Sequence, residues 1–146
     1  MRAHLVQMNI AWEDRDENFA RCASMLDSAG VESGDLVVLP ELFDSGFSLN
    51  TDTTADDHAR TDAFLTDLAE RLGATVQGGR TVRTEPGAKA TNRASIWGPA
   101  RTKLAEYAKV HPFSFGREPE AFFGGAEDQI QTYDWADATD TMRICP

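Results

Sequence analysis

A chain of 146 residues with a formal net charge of −10 and a pI near 4.6 is long enough to bury a core as one domain. Its 14 basic residues are scattered, which excludes the clustered cationic surface that a nucleic-acid partner needs, and no apolar run approaches the roughly 20 residues of a membrane span. The opening MRAHLVQMNI has no charged segment ahead of a long apolar one, so no secretory signal is expected and a cytoplasmic location is the default.

Arg2 to Asn9 reads as a first strand, mostly apolar on both faces as an interior strand would be. After a polar turn over Trp12 to Asp16, the residues Phe19, Cys22, Ala23, Met25, Leu26 and Ala29 recur at helical spacing until Gly30 stops the run. Cys22 lies on that apolar stripe, where a thiol serves as a small buried hydrophobe rather than a nucleophile.

The stretch DLVVLPELFDSGF, Asp35 to Phe47, organises the chain. Leu36 to Leu39 run without alternation, as a strand covered on both faces does. Pro40 cannot donate to a ladder and ends it, so Glu41 is delivered at a strand terminus, where open α/β sheets place their crevices. With Leu42, Phe43 and Phe47 beside it, Glu41 is expected in a partly dry pocket where it could take a proton from a nucleophile. The other reading is an exposed loop glutamate.

A polar stretch, Ser48 to Thr61, leads to a second amphipathic helix marked by Phe64, Leu65, Leu68, Ala69 and Leu72 and closed by Gly73. Ala74 to Gly79 is the next strand, its two glycines marking a close approach of backbone or ligand. Glu85 to Lys89 is a Pro-Gly turn. Ala90 to Trp97 and Thr102 to Tyr107 form a hairpin through Gly98 to Arg101.

The segment Ala108 to Ala126 has no period and interleaves four phenylalanines with Lys109, His111, Arg117, Glu118 and Glu120, which fits a site loop. Lys109 follows a strand directly, as Glu41 does. His111 is a candidate base, although beside Pro112 and Phe113 a packed structural histidine is the more ordinary role. Gln129 to Trp135 and Met142 to Cys145 read as two strands about a turn at Ala136 to Asp140. A chain that stops at Pro146 inside an apolar strand reads as a single domain, 1–146, truncated at its C-terminus. Cys22 and Cys145, the only cysteines, form no metal-binding cluster, and no glycine-rich phosphate loop occurs.

Three segments, VVLPELFDSGF, YAKVHPFSFGREPEAFFGG and MRICP, resemble the carbon-nitrogen hydrolase (nitrilase) superfamily, and most closely its bacterial omega-amidase type. The tracts LVQMNIAWEDRDENF and TNRASIWGP are similar to that family as well, so the resemblance covers essentially the whole chain. It implies an α/β fold, the N-terminal portion of a nitrilase-type α-β-β-α sandwich, with this chain a little over half of it. It also implies the family's chemistry, in which a cysteine thiolate attacks an amide or nitrile carbon, a glutamate moves the proton and a lysine steadies the oxyanion.

By resemblance Glu41 matches the general base, Lys109 the oxyanion lysine and Glu118 an auxiliary glutamate, with Glu120 a close rival. An ammonium near Glu41 would also offset the cost of burying either charge. Aligning Arg143, Ile144 and Pro146 on the family's late strand puts the nucleophile three residues beyond Pro146. The competing alignment makes Cys145 the nucleophile.

The resemblance implies hydrolysis of the terminal amide of a small 2-oxo or dicarboxylic acid monoamide, with no cofactor or metal, and a homo-oligomer when full length. The alternatives are a catalytically inactive fragment or partner-dependent module lacking the nucleophile, and a small-molecule-binding α/β domain without hydrolysis.

Overall fold

The computed structural model describes residues 1–136 and 141–146. Its framework is a six-stranded mixed sheet whose main path runs β1 (Ala3–Leu5), β2 (Leu36–Val38), β3 (Thr75–Val82), β4 (Ala90–Trp97) and β5 (Lys103–Ala108). The first three strands are parallel and the last three antiparallel. A short sixth strand, β6 (Phe122–Phe123), pairs with β4 at Ala90 and Thr91, just where the β5 ladder has ended.

Helices α1 (Arg15–Ser28) and α3 (Arg60–Leu72) flank the sheet, and a single turn, α2 (Thr51–Thr54), precedes α3. The α1 helix starts where the Asp14 carboxylate accepts from the Glu17 N–H at 3.1 Å, with Asp16 and Glu17 favourably placed at the positive end of its dipole. Gly73, at φ +62°, ends α3 by returning its N–H to the Ala69 and Glu70 carbonyls. Cys22 and Leu26 from α1 and Leu65, Leu68 and Ala69 from α3 close over Val37, Leu39, Phe43 and Val76 in the main core. Burying this apolar surface is the chief stabilising term.

On the other face, β7 (Tyr133–Ala136) and β8 (Thr141–Ile144) form an antiparallel ribbon whose Tyr133, Trp135 and Ile144 pack against Leu36, Val38, Ile96 and Ala105. Trp135 Nε1 donates to the Gly34 carbonyl at 2.9 Å, and the Tyr133 hydroxyl bonds Gln77 Oε1 at 3.0 Å. The β2 strand is thus covered on both sides, as its unbroken apolar run requires.

Two expectations are corrected. The first strand is short and lies at the sheet's edge, not its interior, and Leu5 is 79% exposed. An apolar run shows which residues suit a strand but not how many neighbours that strand finds. The strand expected from Gln129 begins only at Tyr133, because Glu127–Gln129 forms a 3-10 turn. The turn expected between the last two strands falls on 137–140, outside the described residues. Among the described residues no helix is long and apolar enough to cross a membrane.

Candidate active site

Glu41 sits on a turn that is anchored from three directions. After Leu39 donates to the Gln77 carbonyl, Pro40 ends the ladder and residues 41–45 turn back, with Ser45 and Gly46 both donating to the Leu42 carbonyl. Leu42 itself adopts φ +48°, a left-handed conformation that costs a non-glycine residue on the order of 1 kcal/mol and persists because the surroundings fix it.

Those surroundings are polar. The fully buried Asp44 accepts from Thr61 Oγ1 at 2.6 Å, from Arg15 Nε at 3.2 Å and from Ser45 Oγ at 3.0 Å. Burial pushes the Asp44 carboxyl up, against the Thr61 and Arg15 contacts that hold it down. Asn18 reaches the Asp44 carbonyl at 2.9 Å and also pairs with both backbone groups of Ala11. Both long helices therefore grip the turn that carries Glu41. From below, β3 presents Gly79, where a Cβ would lie 2.5 Å from the Leu42 nitrogen and 3.1 Å from Glu41 Cα. The close approach expected at this glycine pair is of backbone on backbone at Gly79, and of the Leu65 and Phe43 side chains at Gly78.

Lys109 follows β5 immediately, its N–H donating to the Asn92 carbonyl and its carbonyl accepting from Gly125, both at 2.8 Å. Its ammonium donates to Glu41 Oε1 at 2.9 Å and to Glu118 Oε2 at 2.8 Å. Burial lowers the lysine's affinity for its proton, but the hydrogen bonds and charges of Glu118 and Glu41 outweigh it and the net shift is upward.

Glu118 is buried in a 3-10 turn, Glu118–Glu120, and both its oxygens are engaged. Oε2 accepts from Lys109 and from the Phe113 N–H at 2.6 Å, and Oε1 accepts from Asn92 Nδ2 at 3.2 Å. Burial alone would raise its pKa, yet Lys109, the Phe113 N–H and Asn92 together hold it below the ordinary value. The rival Glu120 is exposed and turned to Arg117, which binds both of its oxygens.

Asn92 is a functional candidate that sequence reasoning missed. Its Nδ2 donates to Glu41 Oε1 at 2.6 Å as well as to Glu118, so one amide spans both carboxylates. The available signal was a short polar side chain in the middle of a strand, since a buried amide demands partners.

The three predicted carboxylate and ammonium residues thus form one cluster. Glu41 is wetter than its apolar neighbours suggested, with 43% of its side chain exposed, and its Oε2 is unengaged among the described residues. A cleft of about 610 Å³ opens above the cluster, with Glu41, Lys109 and Glu118 at its floor and Phe47, Phe113 and Phe122 in its walls. His111 lines this cleft without joining the cluster. A second cavity, of about 260 Å³, shares Glu41 and Lys109 and is bordered by Asn92, Tyr107 and Pro146.

Neither cysteine lines either cavity. Cys22 is buried on the core-facing side of α1, where desolvation pushes its thiol up to about 12. Cys145, expected at the end of the last strand and the nucleophile of the competing alignment, lies just past the end of β8 and is exposed. Among the described residues no group of His, Cys, Asp and Glu is placed to hold a metal.

The sequence profile of the family described as "Carbon-nitrogen hydrolase" matches residues 2–140. A curated "Nitrilase" from Pyrococcus abyssi is 32% identical over 74% of this chain and 42% of its own length. "Omega-amidase YafV" from Yersinia enterocolitica is 28% identical over 89% of this chain and 49% of its own. The chain spans about half the length of the curated relatives it matches. Among solved structures, XC1258 from Xanthomonas campestris, described as a CN-hydrolase superfamily protein with an arsenic adduct in the active site, superposes with a TM-score of 0.80. It is 33% identical, over 91% of this chain and 48% of that one. Nit3 of Saccharomyces cerevisiae, described as a member of branch 10 of the nitrilase superfamily, gives 0.74 at 26% identity, over 90% and 50%.

Proposed function

The chain belongs to the carbon-nitrogen hydrolase family, and from that premise we propose that the intact protein is an amidase cleaving the C–N bond of a small carboxylic or 2-oxo acid monoamide through a cysteine thioester. The observation that carries this reading is the unequal engagement of the two glutamates. Glu118 has donors on both oxygens, whereas among the described residues both donors to Glu41 fall on Oε1 and leave Oε2 unengaged, and Glu41 lines the cleft. A group that must gain and lose a proton needs an unengaged lone pair, so Glu41 is the base and Glu118 holds the lysine.

In the proposed cycle Glu41 takes the thiol proton as sulfur bonds to the amide carbon. Lys109, already charged, donates to the oxyanion so formed. Collapse of that adduct breaks the C–N bond, with the proton on Glu41 going to the departing ammonia and a thioester remaining. Glu41 then takes a proton from water as its oxygen attacks the thioester, and the acid and free thiol are released.

A second reading is favoured by the placement of the cysteines: this chain holds base and lysine but meets its nucleophile only in a larger assembly or a longer chain. Ammonia release from a panel of monoamides tests both, comparing the intact protein with Glu41→Gln and Lys109→Met. Each substitution should lower kcat/KM by about 10²-fold or more. Release unaffected by Glu41→Gln would end the amidase mechanism. A covalent acyl adduct located by mass spectrometry on Cys145 would end the second reading.

A further inference from the structure

We propose that Asn92 is a positioning residue of the reaction: its amide pins one oxygen of Glu41 and stands between the two glutamates, so that the proton leaving the nucleophile is taken by the other oxygen of Glu41. This rests on the amidase reading and adds a working part to it.

Asn92 touches all three charged members of the cluster. Its backbone carbonyl accepts from the Lys109 N–H at 2.8 Å, and its Nδ2 donates to Glu41 Oε1 at 2.6 Å and to Glu118 Oε1 at 3.2 Å. The residue is 4% exposed and held in the β3–β4 ladder opposite Thr81, so its side chain is placed by a strand rather than a loop. Only one orientation of the amide suits this place, because the other would set its carbonyl against two carboxylates.

The supply of hydrogens favours an asparagine. Lys109 donates to Glu41 Oε1 and Glu118 Oε2, which leaves one ammonium hydrogen for an oxyanion. That single cation faces two carboxylates, and two carboxylates at one site otherwise hold a shared proton between them. Asn92 adds a hydrogen to each glutamate without adding charge. Both donors to Glu41 thus converge on Oε1, while Glu118 is engaged on both oxygens, with the Phe113 N–H completing Oε2. A serine would offer one hydrogen, and an aspartate would bring a third negative charge. Of the other titratable side chains lining the two cavities at Glu41, Arg93 is bound to Glu106, the Tyr107 hydroxyl accepts from the Val110 N–H, and His111 stands outside the cluster. Without Asn92, Glu41 loses a donor to its charged form and meets Glu118 directly, so the pair retains a proton to higher pH.

The test is the pH profile of kcat/KM for ammonia release by the intact protein, compared with Asn92→Ser, Asn92→Asp and Thr81→Val. The acid limb of that profile reports the base of the free enzyme. In Asn92→Ser the limb moves to higher pH and kcat/KM at neutral pH falls by about 10- to 100-fold, as the loss of hydrogen bonds to charged groups requires. The displacement shrinks in a Glu118→Gln background, where the like charge is gone. Asn92→Asp keeps the side chain's shape and moves the limb the same way, so the expectation survives a serine variant that does not fold. Thr81→Val removes a fully buried hydroxyl that has no partner among the described residues, and it keeps the wild-type limb. A uniform fall at every pH, or a limb displaced equally by Thr81→Val, would make Asn92 a packing residue and overturn the proposal alone. A wild-type protein that releases no ammonia from any amide would overturn the amidase reading with it.

Discussion

Replacing Gly79 by alanine is the sharpest way to ask whether the Glu41 turn is held by backbone contact. The added Cβ would lie 2.5 Å from the Leu42 nitrogen, 3.1 Å from Glu41 Cα and 3.2 Å from the Glu41 carbonyl carbon. Ordinary contact needs about 3.5 Å, so the turn or β3 must retreat by roughly 1 Å. Neither retreats easily. On β3, Gly79 faces Ala94 within a continuous seven-pair ladder to β4, and the turn is tied to both helices through Asp44 and Asn18. Overpacking of this kind costs about 1–3 kcal/mol. If the turn is what moves, Glu41 shifts by a distance that costs catalysis about 10²-fold. Urea denaturation of Gly79→Ala should show the loss as a lower midpoint with an unchanged slope. The matched control is Gly98→Ala, where the nearest atoms are the Leu104 side chain at 3.5 Å and the expected change is within about 0.5 kcal/mol. A Gly79→Ala protein as stable as Gly98→Ala, with activity retained, would refute the reasoning.

Removing the ammonium by Lys109→Met leaves the buried Glu118 carboxylate facing Glu41 without its cation, and a loss of about 1–3 kcal/mol is expected at pH 7, discounted for the exposure of Glu41. The sign of the pH response should also change. In the wild type Glu118 sits below its ordinary value, so its contribution is present above that value and fades in acid. In the variant the same carboxyl gains by protonation, and stability should rise between pH 7 and 5 in a denaturant series. Glu106, which accepts from Arg93, Lys103 and Arg80, is first pushed up by burial and then drawn down by those cations from 4.5 to about 2. Its stabilisation is complete above pH 4.5 and is lost as pH falls toward 2, so Glu106→Gln should cost about 1–2 kcal/mol at pH 7 and flatten the melting curve's acid limb. Intact mass after alkylation of the folded 146-residue chain should show one adduct, at the exposed Cys145, with Cys22 reacting only on unfolding. Two native adducts would show that α1 opens.

Local patterns carried the elements that depend on neighbours in sequence. The α1 and α3 helices were legible because apolar residues recurred at helical spacing and a glycine closed each run, and the β4–β5 hairpin because turn residues separated two strand-like segments. The edge position of β1 was not legible, since Leu5 is equally apolar with one neighbour strand or two. At the site, Glu41 and Lys109 announced themselves as charges directly after strands. Asn92 did not, because its reason for being buried lies in two carboxylates, one of them 51 residues away. The Asp44 clamp was hidden for the same cause: an aspartate in a turn reads as solvated until Thr61 and Arg15 are seen to close on it.

The cluster is a row across the sheet, and that makes it a consequence of register. Glu41 lies beyond the end of β2, Gly79 beneath it on β3, Asn92 on β4 opposite Thr81, and Lys109 one residue past Ala108, which pairs with Arg93. Glu41 and Lys109 are 68 residues apart in sequence, and each strand between them must pair in one register for the ammonium to reach the carboxylate. Side chains alternate along a strand, so a slip of one residue on β4 would turn Asn92 to the opposite face and present Arg93 in its place. An extended cation there would compete with Lys109 for the open side of Glu41. The contacts of Asn92 with Glu41 and the buried Glu118 cannot be satisfied in the slipped pairing, which penalises it by about 1–3 kcal/mol for each orphaned group. The polar residues that shape the candidate site therefore also select the strand register that builds it.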